Sequence, residues 1–120
     1  WAQKMYLKEI ENLFKGKKAS KEHGVALHEI HDRAGTKKFN TAVKKYLKEY
    51  GMPEDWSTLF LLLDYKDIKI VRQAAAALKE LAGEAPLNLR EGLKSKLNII
   101  AMTTASDDLR DIAEETLEGL

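Results

Sequence analysis

The sequence predicts an all-α protein. Apolar residues recur at the spacing of one helical face along most of the 120 residues. No stretch alternates apolar and polar residues as a half-buried strand does, and no hairpin dipeptide joins two such stretches. Breaks of only a few residues separate the periodic segments, which favours antiparallel packing of consecutive helices. We therefore expect about seven antiparallel helices.

The sequence of the N-terminal half predicts three amphipathic helices. Capping residues and glycine stops set their limits. Gly35 ends the second helix and Gly51 ends the third. The predicted spans are Ala2–Lys15, Ser20–Ala34 and Thr36–Tyr50.

Residues 56–82 form the most apolar stretch, and they predict the central helix pair. Pro53 suits the first turn of the fourth helix, since its missing N–H would be unpaired there anyway. That helix is apolar nearly all round, which is typical of a helix buried on several sides. Asp67 is the expected N-cap of the fifth helix, and Gly83 is its stop. The residues expected to face inward on the fifth helix are Ile70, Val71, Ala74, Ala75, Leu78 and Leu81.

The last two predicted helices follow a linker that contains Pro86. The sixth runs from about Leu87 to Thr103, and Ser106 begins the seventh with two aspartates in its first turn. The sixth helix has a predicted apolar stripe of Leu89, Leu93, Leu97, Ile100 and Ala101, widened by Ile99 and Met102.

The fifth and seventh helices share a short pattern. Val71-Arg72 is followed by Ala75, and Leu109-Arg110 is followed by Ala113 in the same spacing. The two copies are 38 residues apart, close to the period of about 40 residues in two-helix solenoids.

This pattern resembles the second helix of a HEAT (armadillo-type) repeat. The resemblance covers residues 53–120, whereas Phe39 and Asn40 stand where Val-Arg is expected in the N-terminal half. It implies an α–α superhelix whose second helices line a surface that binds partners. It also implies that Asp67, Arg72 and Arg110 belong to a structural ladder between repeats. We expect one domain over residues 1–120, with a basic half at 1–52 and two HEAT-like pairs at 53–120.

Charge is divided unevenly along the chain. Residues 1–52 carry net charge +6 and residues 53–120 carry −5. Such asymmetry concerns partners rather than fold. Together with the resemblance, it predicts a non-enzymatic scaffold that binds a protein partner, or itself, through the third, fifth and seventh helices. The predicted partner-binding residues are Lys37, Lys44, Lys48, Lys69, Arg72, Gln73, Arg110, Asp111 and Glu114.

Two alternatives remain open. Lysines of the N-terminal half, Lys37, Lys44 and Lys48 among them, could follow a nucleic-acid backbone. His28 and His31 stand at i, i+3 and could share a metal ion with a carboxylate, whereas His23 lies on the apolar stripe of its helix. A solvated lysine face and histidines at the edge of the core are the commoner explanations, so no metal or cofactor is expected.

Composition excludes other classes. There is no cysteine, hence no disulfide or thiolate site, and no nucleophile, base and orienting group occur together. We therefore expect no enzyme. The longest apolar run, residues 59–63, is too short to cross a bilayer, and no secretory pattern is present. We expect a cytoplasmic protein, and the start at Trp1 rather than Met suggests an excised segment.

Overall fold

The computed structural model describes residues 21–120. Within that range every regular element is a helix, which confirms the all-α prediction there. The predicted helix at residues 2–15 and the Ser20 cap lie outside the described residues. The six helices are α1 (Lys21–Arg33), α2 (Phe39–Tyr50), α3 (Trp56–Leu62), α4 (Ile68–Ala82), α5 (Leu87–Thr103) and α6 (Asp107–Glu118). They correspond to the second to seventh predicted helices.

The chain divides into two compact units, with the boundary between Pro53 and Glu54. In the first unit α1 packs on α2, and in the second unit α3 packs on α4 and α5 packs on α6. Helix α4 also packs on α6, so the two second helices of that unit are neighbours.

The first unit has its described core between α1 and α2. Gly35 and Gly51 end these helices with φ of 82° and 79°, a region where an L side chain is strained. Thr36 does not cap α2 directly. Its hydroxyl donates to the Arg33 carbonyl and accepts from the Lys38 amide, so it orders the turn before the helix. The buried apolar residues are Ile30, Phe39, Ala42, Val43 and Tyr46.

Side-chain caps set three helix starts in the second unit. Asp67 accepts from the Lys69 amide and Ser106 from the Leu109 amide, as predicted. Asp55 caps α3, so Pro53 lies before that helix. The prediction that Pro53 stands in the first turn is therefore wrong. The Asp55 carboxylate accepts a hydrogen bond from the Thr58 amide, one of the first-turn N–H groups that have no acceptor within the helix.

The core of the second unit is narrower than the sequence predicted. Leu81 is 40% exposed and Leu89 is 36% exposed, although both were expected to face inward. Ile99 and Met102 are 55% and 84% exposed, and they do not widen the buried stripe of α5. Periodicity shows which face is apolar, but neighbouring helices decide how much of it is covered. The core consists of Leu59, Leu62, Leu63, Val71, Ala74, Ala75, Leu78, Ala82, Leu93, Leu97, Ile100, Ile112 and Ala113, with Tyr65 at its edge.

Candidate functional site

The second helix of each pair buries the same face. Residue 39 corresponds to residues 71 and 109, and the next three apolar positions of each helix follow at identical spacing. All are buried except Leu109, which is half-buried. The equivalent sets are Phe39, Ala42, Val43 and Tyr46 in α2, Val71, Ala74, Ala75 and Leu78 in α4, and Leu109, Ile112, Ala113 and Thr116 in α6. The opposite faces of α2, α4 and α6 are therefore the equivalent solvent-facing positions.

On α2 these positions carry positive charge. We call Lys37, Lys44 and Lys48 the basic stripe, and all three side chains are exposed. With Thr41 they follow the spacing i, i+4, i+7, i+11, which places Thr41, Lys44 and Lys48 on one face of α2. Lys37 lies in the turn just before α2. None of the three lysines is ion-paired within residues 21–120. Lys38 and Lys45 flank the stripe.

On α6 the equivalent positions carry negative charge. We call Asp107, Asp111, Glu114 and Glu118 the acidic stripe, and all four are exposed. Its spacing is again i, i+4, i+7, i+11, and adding 70 to each residue number of the basic stripe gives a member of the acidic one. The flanking positions obey the same rule, since Asp108 and Glu115 correspond to Lys38 and Lys45.

Helix α4 is intermediate in charge at this face. Lys69, Arg72 and Gln73, all predicted partner-binding residues, are exposed there. Arg72 lies in a shallow groove of about 150 Å³ between α4 and α6. Sequence reasoning missed the other charged groups of this groove, because only packing brings two helices together. The groove is lined by Arg72, Ala76, Lys79, Ile112, Glu115 and Thr116.

Arg110 has a structural role among the predicted partner-binding residues. Its guanidinium donates to the Ala101 and Thr104 carbonyls at the end of α5 and pairs with Asp107 at 2.9 Å. It thereby joins the end of α5 to the start of α6. These contacts lie within one helix pair, as does the Asp67 cap of α4. The ladder between repeats implied by the HEAT resemblance is therefore not formed by the contacts of these described residues.

The histidines lie in different environments. His28 and His31 are exposed on α1, whereas His23 is half-buried and its Nε2 lies 2.7 Å from the Tyr46 hydroxyl. No three His, Asp or Glu side chains converge on a possible metal position anywhere in residues 21–120.

A cavity of about 620 Å³ opens between α1 and α2. Among residues 21–120 its apolar lining comes from Val25, Ala26 and Tyr50, and charged side chains of both signs surround it. Such a mixed rim selects no single class of ligand. The charged lining residues are Lys21, Glu22, Glu29, Lys45 and Glu49.

Among the helices of residues 21–120, none has both the length and the apolar character needed to cross a bilayer. Comparisons of the chain with protein-family models, with curated proteins and with solved structures give no match.

Proposed function

We propose that the protein is a non-enzymatic interaction scaffold that binds a protein partner through the exposed faces of α2, α4 and α6. In this proposal its helix pairs are HEAT-like repeats of an α–α superhelix. The burial pattern shared by the three second helices supports the repeat relationship. Exposed side chains at equivalent positions are free to diverge for binding, because they do not build the core.

One observation carries the proposal. Five equivalent solvent-facing positions carry lysine on α2 and the turn before it, and a carboxylate on α6. The lysines are Lys37, Lys38, Lys44, Lys45 and Lys48, and the carboxylates are Asp107, Asp108, Glu114, Glu115 and Glu118. Keeping a helix face in water requires only charged or polar side chains, and it does not require lysine at one set of positions and carboxylate at the equivalent set. Complementary charge across an interface sets the orientation of a partner and speeds its association.

The test uses two neutralised variants of the whole chain. One replaces Lys37, Lys44 and Lys48 by Gln, and the other changes Asp111→Asn, Glu114→Gln and Glu118→Gln. Proteins retained from a native extract are quantified by mass spectrometry, and the affinity of each purified partner is then measured by calorimetry. We expect at least one partner to lose affinity by about tenfold or more with either variant, and to lose it also as salt rises.

A control variant changes Glu91 and Lys94 to Gln, because this exposed pair on α5 lies outside both stripes. It should retain the partner at wild-type affinity. A partner whose affinity is the same for all variants, or capture that no variant alters, contradicts the proposal.

Nucleic acid is the second candidate, because the basic stripe is exposed and not ion-paired within the described residues. Fluorescence anisotropy with duplex and single-stranded DNA and RNA at low and moderate salt tests it. Tight binding that weakens steeply with salt and disappears in the lysine variant would favour a nucleic-acid function. The acidic stripe argues against it, since six carboxylates on and beside that stripe repel phosphates.

A further inference from the structure

We propose that the protein associates with itself, with the basic stripe of one copy lying against the acidic stripe of another. This inference depends on the proposed function, because it names the partner of the same exposed faces. The second copy is the occupant that the charges favour, since it presents the required opposite pattern at the same spacing.

The spacing of the two stripes fits either direction of approach. Positions 0, 4, 7 and 11 read the same forwards and backwards, so parallel and antiparallel helices both oppose matching positions. In the parallel case Lys37, Lys44 and Lys48 face Asp107, Glu114 and Glu118. In the antiparallel case they face Glu118, Asp111 and Asp107. The acidic stripe extends over about 16 Å of helix. The basic stripe has the same residue spacing, with Lys44 and Lys48 on α2 and Lys37 in the turn before it, so three opposite charges can be matched.

Both stripes hold charge where it weakens the isolated helix. Glu114 and Glu118 are like charges at i, i+4, as are Lys44 and Lys48, and such pairs repel. Lys37 also stands at the positive end of the α2 dipole, and Glu118 stands at the negative end of α6. An opposing stripe of the other sign relieves these repulsions.

Side chains of both stripes can accept further ion-pair partners. Asp111, Glu114 and Glu118 make no ion pair within residues 21–120, and the three lysines of the basic stripe make none there either. Asp107 pairs with Arg110, but its side chain remains 91% exposed and can accept a further donor. Contact between the stripes therefore replaces water rather than existing pairs.

The contact is head-to-tail, because the two stripes are different surfaces. Two copies joined by one such contact still have one basic and one acidic stripe unoccupied, so association continues into a ring or an open chain. Exposed ion pairs are weak and screened by salt. We expect association that grows with protein concentration and disappears at high ionic strength.

Analytical ultracentrifugation of the full chain tests this, from about 10 μM to about 1 mM protein, the range of weak affinities. Each concentration is run at about 0.03 M and about 0.5 M salt, because screening differs strongly between them. One variant reverses Lys37, Lys44 and Lys48 to Glu, and a second reverses Asp111, Glu114 and Glu118 to Lys. Circular dichroism verifies that both keep their helix content.

The wild type should associate at low salt and be monomeric at high salt. Each variant alone should be monomeric, since both of its stripes then have the same sign. An equimolar mixture of the two variants should associate again, because each copy now finds an opposite stripe on the other. A control reversing Lys21, Lys66 and Lys94 to Glu lowers the net charge as much as the lysine variant does, and it should associate like the wild type.

Three results would overturn the inference: a wild type that is monomeric at low salt throughout the range, association that survives either reversal, or a mixture that stays monomeric. Contact between the stripes of a single copy would give the first result, since it needs no second molecule. Stripe-dependent capture of another protein together with a monomeric wild type would remove this inference and leave the proposed function standing.

Discussion

The Nε2 atom of His23 on α1 lies 2.7 Å from the hydroxyl oxygen of Tyr46 on α2. The two ring centroids are 5.4 Å apart, and the ring of Tyr50 meets His23 edge-on at 5.1 Å. Tyr46 is almost fully buried, at 1% exposure, so its hydroxyl must satisfy hydrogen bonds inside the protein. His23 is therefore a residue at the edge of the core, as its place on the apolar stripe predicted, and it links two helices.

Removing the Tyr46 hydroxyl should lower stability. We expect Tyr46→Phe to reduce the free energy of unfolding by about 1 kcal/mol, the typical value of one hydrogen bond. Urea denaturation followed by circular dichroism measures it. Tyr50→Phe is the matched control, because Tyr50 meets His23 through its ring. Equal losses in both variants would show that the described hydrogen bond does not stabilise the unit.

The Asp55 cap should make α3 sensitive to acid. Burial raises the pKa of the Asp55 carboxyl, but hydrogen bonds from the Thr58 side chain, the Thr58 amide and the Ser57 hydroxyl outweigh it, so the pKa lies below its usual value. A lowered pKa in the folded state stabilises the fold above the unfolded-state pKa of about 3.9. This stability is lost as pH falls through the folded-state pKa.

The corresponding variant is Asp55→Asn. We expect the wild type to be more stable than this variant above about pH 5, with the difference shrinking below about pH 4. Denaturation at a series of pH values measures it. Asp32→Asn, on the exposed face of α1, should change stability by less than about 0.5 kcal/mol. An Asp55 difference that is constant with pH would contradict the prediction.

Arg110 should contribute to stability rather than to binding. Arg110→Ala removes donors to two carbonyls at the end of α5, and we expect a loss of about 1–2 kcal/mol in the free energy of unfolding. Arg110→Lys should recover only part of it, because an ammonium group cannot reproduce the guanidinium fork. Arg72→Ala, at the equivalent position of α4, should change stability by less than about 0.5 kcal/mol. Similar losses at both arginines would show that the described bonds are not the cause.

Two glycines should respond in opposite directions to alanine. Gly24 lies inside α1, and a Cβ added there would meet no atom of residues 21–120 within 4 Å, so Gly24→Ala should stabilise the helix by about 0.5–1 kcal/mol. Gly51 has φ of 79° and ψ of −157°, a region almost restricted to glycine, so Gly51→Ala should cost about 1–3 kcal/mol. Thermal denaturation of both variants measures the difference. A Gly51→Ala variant as stable as the wild type would contradict the described backbone at the end of α2.

The sequence alone determined where the described helices lie and how several of them start or stop. Asp67 and Ser106 cap their helices through bonds to amides two or three residues away, and Gly35 and Gly51 end helices through their own φ. Such signals act within one turn of the chain, so they can be recognised before any packing is known. The two stripes could also be predicted in part, because exposed charges follow directly from helical spacing.

Tertiary structure alone decided which apolar residues are covered and which polar groups meet. Leu81, Leu89, Ile99 and Met102 fit the apolar pattern, yet the described helices leave them exposed. The His23 hydrogen bond and the groove between α4 and α6 join residues far apart in the chain. Periodicity gives the direction of a side chain from its own helix, but burial and pairing depend on a second element whose distance and angle the local sequence does not specify.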